Sequence, residues 1–286
     1  MPKLVVVNIT ALSFSGSTWL NLMLGSHPEA FSVGELKKVS QSKRAICTIH
    51  GEECPLWSRY EHPSTENPFV QLARLTGKRF LIVNKSRHFI QYQRDPAITS
   101  RFIHLLRDPR AVLASCLRKK PDRRTFSTAR LLSHDLRRNL RLHRRQPPEE
   151  VTTAFYEHVQ RDTEAELRRL CEFIGMEYDA AMLAFWEPEH HFIAGNRGTL
   201  FGMLRKGDQV DTPEQVLDAP RTSPQKWELG HYRRTDAADF KDERWKRELS
   251  DGQLRLYRLA AGWIHRRLGY PAVLDRGASL PSAAGT

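Results

Sequence analysis

Short, nearly continuous apolar runs alternate along the chain with stretches whose apolar positions recur every three or four residues. This pattern predicts strands interleaved with helices. Residues 4–9 are almost wholly apolar and rich in Val and Ile, as in a strand buried on both faces of a parallel sheet. A Ser/Gly turn at 13–17 follows, and from Thr18 the sequence predicts a helix ended by His27-Pro28. Residues 80–83 and 102–106 predict two further strands, and 152–156 a shorter fourth. The third runs into Arg107-Asp108-Pro109, where Asp108 suits a helix N-cap and Pro109 a first helical position. Apolar positions within 162–174 predict a helix stopped by Gly175, and 179–186 a further short helix. Residues 190–232 lack periodicity and are expected to form loops and a mobile lid. A last amphipathic helix is expected over 245–268.

Strands alternating with helices predict the α/β class, with one domain over 1–272 built on a central parallel sheet flanked by helices. The tail 273–286 is small and polar and is expected to be disordered. No apolar run approaches the roughly 20 residues that span a bilayer. The start reads as a buried strand rather than a cleavable leader, so the expected location is cytoplasmic. Four cysteines in 286 residues are too few for a disulfide scaffold.

Charge narrows the partners. Forty-five Lys and Arg against 33 Asp and Glu give a formal charge of +12, which favours anionic partners. The basic residues concentrate in 118–145 between apolar positions, the pattern of a solvated helical face.

Two elements suit phosphate. Ser15, Gly16, Ser17 and Thr18 lie between the first strand and first helix, where turn amides and a helix N-terminus converge on an anion. The P-loop pattern with its Lys is absent, so the chain lacks the main cation of ATP hydrolysis. Arg107 stands at a strand end, with the Ser115 hydroxyl further along the following helix. An Arg fork donates two parallel hydrogen bonds to a phosphate, and six helical residues reach about 9 Å. Both groups can therefore meet one phosphate.

Together these elements resemble the two signature motifs of the sulfotransferase family that uses 3′-phosphoadenosine 5′-phosphosulfate (PAPS). Ser15, Gly16, Ser17, Thr18 and Leu20 match its 5′-phosphosulfate loop, and Arg107, Asp108, Pro109, Arg110 and Ser115 its 3′-phosphate motif. Weaker similarities include Gly34-Glu35, Lys85-Ser86, Tyr156-Glu157 and Gly195-Asn196-Arg197, so the resemblance covers roughly 1–270. It implies a fold like that of the P-loop nucleotide kinases, sulfuryl transfer to an acceptor hydroxyl, and 3′-phosphoadenosine 5′-phosphate as product. The acceptor would be a glycan, small molecule or peptide, and no metal or nucleic acid is expected to take part. Trp19 would stack on adenine or serve as a core residue, and the same choice applies to Tyr156. Asn196 and Arg197 join the cofactor-binding set. The resemblance offers Glu35 as general base in Gly34-Glu35-Leu36, with His88 as the alternative. The family carries Arg or Lys where this chain has Phe14, and Lys85 is the candidate replacement cation.

Cys47, His50 and Cys54 supply three ligand types within eight residues, short of four. A local structural role or a disulfide is expected there. His190 and His191, as neighbours on an extended segment, are expected to point in opposite directions. Competing functions are a phosphate-loop kinase, a basic nucleic-acid-binding protein, and a catalytically weak PAPS-binding homologue.

Overall fold

A computed structural model describes residues 3–42, 45–84, 87–208, 230–237 and 241–277. Five strands, β1 (Leu4–Ala11), β2 (Ala30–Gly34), β3 (Phe80–Asn84), β4 (Ile98–Leu106) and β5 (Val151–Phe155), form one sheet in the order β2-β3-β1-β4-β5. β3 pairs in parallel with β1, placing Val5 opposite Phe80 and Ile9 opposite Asn84, and with β2, placing Ala30 opposite Phe80. The expected parallel sheet is therefore present, with β2 added to the four strands anticipated. The order reverses around β1, with β3 on one side and β4 on the other. Open α/β sheets bind ligands beyond the carboxyl ends of strands at such a reversal.

The chain divides into two compact units. One comprises Met1–Thr10, Ser17–Ile103 and Leu167–Phe240, and the other Ala11–Gly16, His104–Glu166 and Lys241–Thr286. In the first unit α1 (Ser17–Gly25) packs on β2 and β3, and its Asn21 Nδ2 donates to the Ile82 carbonyl at 2.9 Å. A Cβ on Gly25 would lie 1.9 Å from Ser32 Oγ, so only glycine permits this approach of helix and strand. The unit also holds α2 (Lys37–Ser42) and α3 (Pro68–Thr76), the latter capped by Asn67 with Pro68 at its first position.

In the second unit α4 (Pro109–Lys119) follows β4, and α5 (Thr125–His143) carries the basic run. Buried residues of α5 recur at Thr128, Ala129, Leu132, Leu136 and Asn139, while Arg130, Arg137, Arg138 and Arg141 are exposed. The basic run is thus a solvated face. β5 leads into α6 (Tyr156–Arg161), and α7 (Thr163–Ile174) follows.

Two expectations are corrected. Residues 190–232 contain α8 (Arg197–Lys206) and α9 (Gly230–Arg234), because Asn196 caps α8 by accepting from the Thr199 amide at 3.1 Å; 209–229 lie outside the described residues. The single helix expected over 245–268 is divided into α10 (Trp245–Glu248) and α11 (Asp251–Arg267). Ser250 starts α11 with a reciprocal capping box to Gln253, which ends the preceding turn at Leu249. Residues 273–277 are described. Val273 is buried, its carbonyl accepts from Arg110 Nη1 at 3.2 Å, and Arg276 Nη2 donates to Asp251 at 2.6 Å. Residues 278–286 lie outside the described residues. Among the described residues no helix is long and apolar enough to cross a membrane.

Candidate functional site

In the second unit, the turn after β1 meets the residue after β4. Arg107 Nη1 donates to the carbonyl of Phe14 at 2.8 Å. The Arg107 guanidinium also lies 4.4 Å from the centroid of the Tyr156 ring. A Cβ on Gly16 would lie 2.6 Å from Tyr156 Cδ2, so the turn rests directly on that ring. Gly16 has φ +85° and Phe14 +68°, both in the left-handed region, which is uncommon for a bulky side chain such as Phe. Ser15, Arg107, Tyr156 and Ser115 are all buried. Four of the expected binding residues, Ser15, Gly16, Arg107 and Tyr156, are therefore assembled at one place, and Ser115 lies two turns along α4 as expected.

The Arg-Asp-Pro-Arg sequence divides its labour. Asp108 caps α4 by accepting from the Arg110 amide at 2.9 Å, with Pro109 at the first helical position. Arg110 turns away into the core. It pairs with Asp108 at 2.7 Å, stacks on Trp245 at 4.0 Å and donates to the Ala272 and Val273 carbonyls. Glu157 accepts from the Asp108 amide at 2.8 Å and from the Tyr270 hydroxyl at 3.1 Å. Arg110 and Glu157 hold the start of α4 in place, leaving Arg107 at the turn.

The fork of Arg107 is partly occupied. Nη2 donates to the Asp242 carbonyl at 2.8 Å and faces its carboxylate at 3.3 Å, while Nε is buried with no hydrogen-bond partner among the described residues. Burial opposes the charge of Asp242. The Arg244 hydrogen bond and the Arg107 and Arg244 charges outweigh it and hold the carboxyl well below the usual range. Asp242 was not anticipated, because no motif connects it to Arg107 across 135 positions. Lys119, also unanticipated, holds its ammonium 4.8 Å from the Phe14 ring centroid.

In the first unit, Ser17 and Thr18 open α1 and are buried. Thr18 Oγ1 accepts from the Asn196 amide at 2.9 Å, while the Asn196 side chain caps α8 and Arg197 begins that helix, buried. The Asn196 side-chain oxygen is thus used within the fold. Trp19 is buried on α1. Glu35 is half-buried, and its amide donates to the Ile193 carbonyl at 2.8 Å. Lys85 lies outside the described residues; His88 falls in a 3-10 helix, Arg87–Arg94, and its side chain lies outside the description. Asn84, at the carboxyl end of β3, is a buried amide that makes no side-chain hydrogen bond among the described residues.

A second cluster lies in the same unit. His190 and His191 do point apart: His190 Nε2 donates to the Phe185 carbonyl at 2.8 Å, while His191 Nδ1 faces Cys54 Sγ at 3.3 Å. Cys47, His50 and Cys54 therefore have a fourth companion, which corrects the count of three ligands.

By sequence, residues 57–180 match the Sulfotransferase family. That stretch contains Arg107, Ser115 and Tyr156 and begins after the turn at 12–16. No curated protein matches the chain in a sequence comparison. In fold the chain is similar to the sulfotransferase domain of the Synechococcus PCC 7002 olefin synthase, with TM-score 0.51 and 20% identity over 81% of this chain and 94% of that one. It is also similar to the sulfotransferase domain of the curacin biosynthetic pathway, with TM-score 0.50 and 15% identity over 81% of this chain and 96% of that one.

Proposed function

We propose that this chain, whose residues 57–180 match the Sulfotransferase family, moves a sulfuryl group from PAPS to an acceptor hydroxyl. The observation that carries this reading is the contact between the two anion-binding elements. Arg107, after β4, donates to Phe14 in the turn after β1, and Tyr156 backs both the turn and the guanidinium. PAPS, when bound, supplies the sulfuryl group and a 3′,5′-bisphosphate leaving group.

The chain's own residues fit such a donor in three respects. Gly16, in a left-handed conformation against Tyr156, leaves the turn's backbone as the approach surface. The N-terminus of α1, with Ser17 and Thr18, favours an anion through its amides. Arg107 retains a buried Nε donor without a hydrogen-bond partner among the described residues. In the opposite sense, Asp242 occupies Nη2, so a 3′-phosphate at Arg107 would compete with that carboxylate.

In the transfer step the acceptor oxygen bonds to sulfur as the bond from sulfur to the 5′-phosphate oxygen breaks. Glu35, or His88, would take the acceptor's proton. Amides at the N-terminus of α1 would stabilise charge gathering on the leaving oxygen. The cation usual at Phe14 would come from Lys119, whose ammonium lies over that ring, or from Lys85, which lies outside the described residues.

Phe14 and the Arg107–Asp242 pair also support a second reading, a chain that binds the bisphosphate and transfers slowly. Transfer of labelled sulfate from PAPS to panels of phenols, sugars and peptides separates the two. The expected outcome is turnover on at least one acceptor class, with Glu35→Gln lowering kcat by about 10²–10⁴ while bisphosphate affinity is kept. Unchanged turnover in Glu35→Gln moves the base to His88. Bisphosphate binding without turnover on any acceptor establishes the second reading.

A further inference from the structure

We propose that Cys47, His50, Cys54 and His191 form a closed, structural zinc site. One ligand atom from each residue lies within 4.8 Å of the other three. His50 Nδ1 is 3.6 Å from Cys47 Sγ and 4.0 Å from Cys54 Sγ. His191 Nδ1 is 3.3 Å from Cys54 Sγ and 3.2 Å from His50 Nδ1. A tetrahedron with Zn–S of about 2.3 Å and Zn–N of about 2.0 Å has edges of about 3.3–3.8 Å. These four separations bracket those edges, and all six lie within 4.8 Å, close enough for four donors to converge on one small cation.

The surroundings are those of a metal centre. Both imidazoles direct Nδ1 inward and Nε2 towards the same carboxylate, Glu189, at 3.3 Å from His50 and 3.7 Å from His191. Ligating histidines characteristically donate their second ring nitrogen to a carboxylate, which fixes tautomer and orientation. The local backbone is built to present the ligands. Gly51, at φ +67°, closes a tight turn by donating its amide to the Cys47 carbonyl at 3.1 Å, with His50 on the turn. Trp57 Nε1 donates to the His191 carbonyl at 2.6 Å, and the Thr48 amide to Phe192 at 2.8 Å, so the two ligand-bearing segments are also joined through the backbone.

Donor chemistry selects the ion. Two thiols and two imidazoles in a tetrahedral arrangement suit zinc, and four protein ligands leave no open position for catalysis. Binding releases two thiol protons, and two thiolates, two neutral imidazoles and Zn²⁺ sum to zero charge. Such neutrality suits a centre whose cysteines are buried, Cys54 wholly so. The bound ion would join positions 137 apart in sequence, Cys54 and His191. It would thereby hold the segment whose Ile193 carbonyl accepts the Glu35 amide and whose Asn196 amide reaches Thr18. The zinc assignment stands whether or not the chain transfers sulfate.

The test uses the full-length chain, prepared without chelators, and reads metal content and the spectrum after replacement by Co²⁺. One zinc per chain is expected, with thiolate-to-cobalt charge transfer and the intense visible bands of a tetrahedral centre. Cys54→Ser should lose much of the charge-transfer band. Glu189→Gln should keep the tetrahedral spectrum while weakening zinc binding about 10–100-fold. Should the cysteine variant fail to fold, removal of zinc from the unmodified chain by a chelator must expose two thiols to titration. Substoichiometric zinc after incubation with Zn²⁺, an octahedral cobalt spectrum, stoichiometric iron or copper, or a Cys47–Cys54 disulfide in the intact mass would each overturn the proposal.

Discussion

At the scale of single residues, the balance of charge at Arg107 governs the account. Its fork has three faces: one on the Phe14 carbonyl, one on Asp242, and a buried Nε. Asp242 keeps its charge because Arg244 and Arg107 outweigh the cost of burial. Under the proposed function, an incoming phosphate must displace that carboxylate or share the Arg107 guanidinium with it. Asp242→Asn retains the backbone carbonyl and removes the charge, so it should tighten binding of adenosine 3′,5′-bisphosphate on the order of tenfold, equivalent to about 1.4 kcal/mol. Titration calorimetry on the two proteins checks this, and equal affinities would argue against phosphate binding at Arg107. Arg107 and Gly16 were legible in sequence because their signals are local: a guanidinium at a strand end, a glycine in a turn. Asp242 and His191 were not, since each meets its partners across well over a hundred positions and no spacing rule links them.

Among the elements, the entry to α4 shows how local capping and distant packing combine. Asp108 and Pro109 announce the helix in sequence, and they do begin it. Glu157, from α6, then clamps the Asp108 amide and the Tyr270 hydroxyl. Burial pushes the Glu157 carboxyl from 4.5 up to about 7, the Asp108 charge adding to the effect. Between those values the folded chain holds a proton that the unfolded chain releases, so stability falls as pH rises. This contribution is complete below 4.5 and lost as pH passes about 7. Glu157→Gln removes the titration, and relative to the native chain it should gain on the order of 3 kcal/mol between pH 4.5 and 8, at about 1.4 kcal/mol per pKa unit. Urea unfolding of both proteins across that range provides the measurement; a difference independent of pH contradicts the assignment. The same scale accounts for the misread elements. Asn196 and the Ser250–Gln253 box are helix starts written in sequence, but they lay inside stretches read as loop and as continuous helix. β2, interrupted by Ser32 and ending in Gly34, lacks the continuous apolar run that marked β3.

For the molecule as a whole, strand order and charge restrict what can bind. The β2-β3-β1-β4-β5 order reverses at β1, and the connections after β1 and β4 are those that meet through Arg107 and Phe14. The alternation of apolar runs foretold the sheet, whereas its division into two compact units follows from packing that no run of sequence displays. The excess of positive charge lies partly on the exposed face of α5, where it attracts anions without selecting among them. Under the proposed function, selection comes from Arg107 and the turn after β1. The most direct measurement is a calorimetric comparison of adenosine 3′,5′-bisphosphate, 5′-AMP and ATP, on the native chain and on Arg107→Ala. The account predicts that the bisphosphate binds most tightly and that Arg107→Ala abolishes its advantage over 5′-AMP, with 5′-AMP itself little changed. Preference for ATP, or equal losses for both adenosine phosphates, would contradict it.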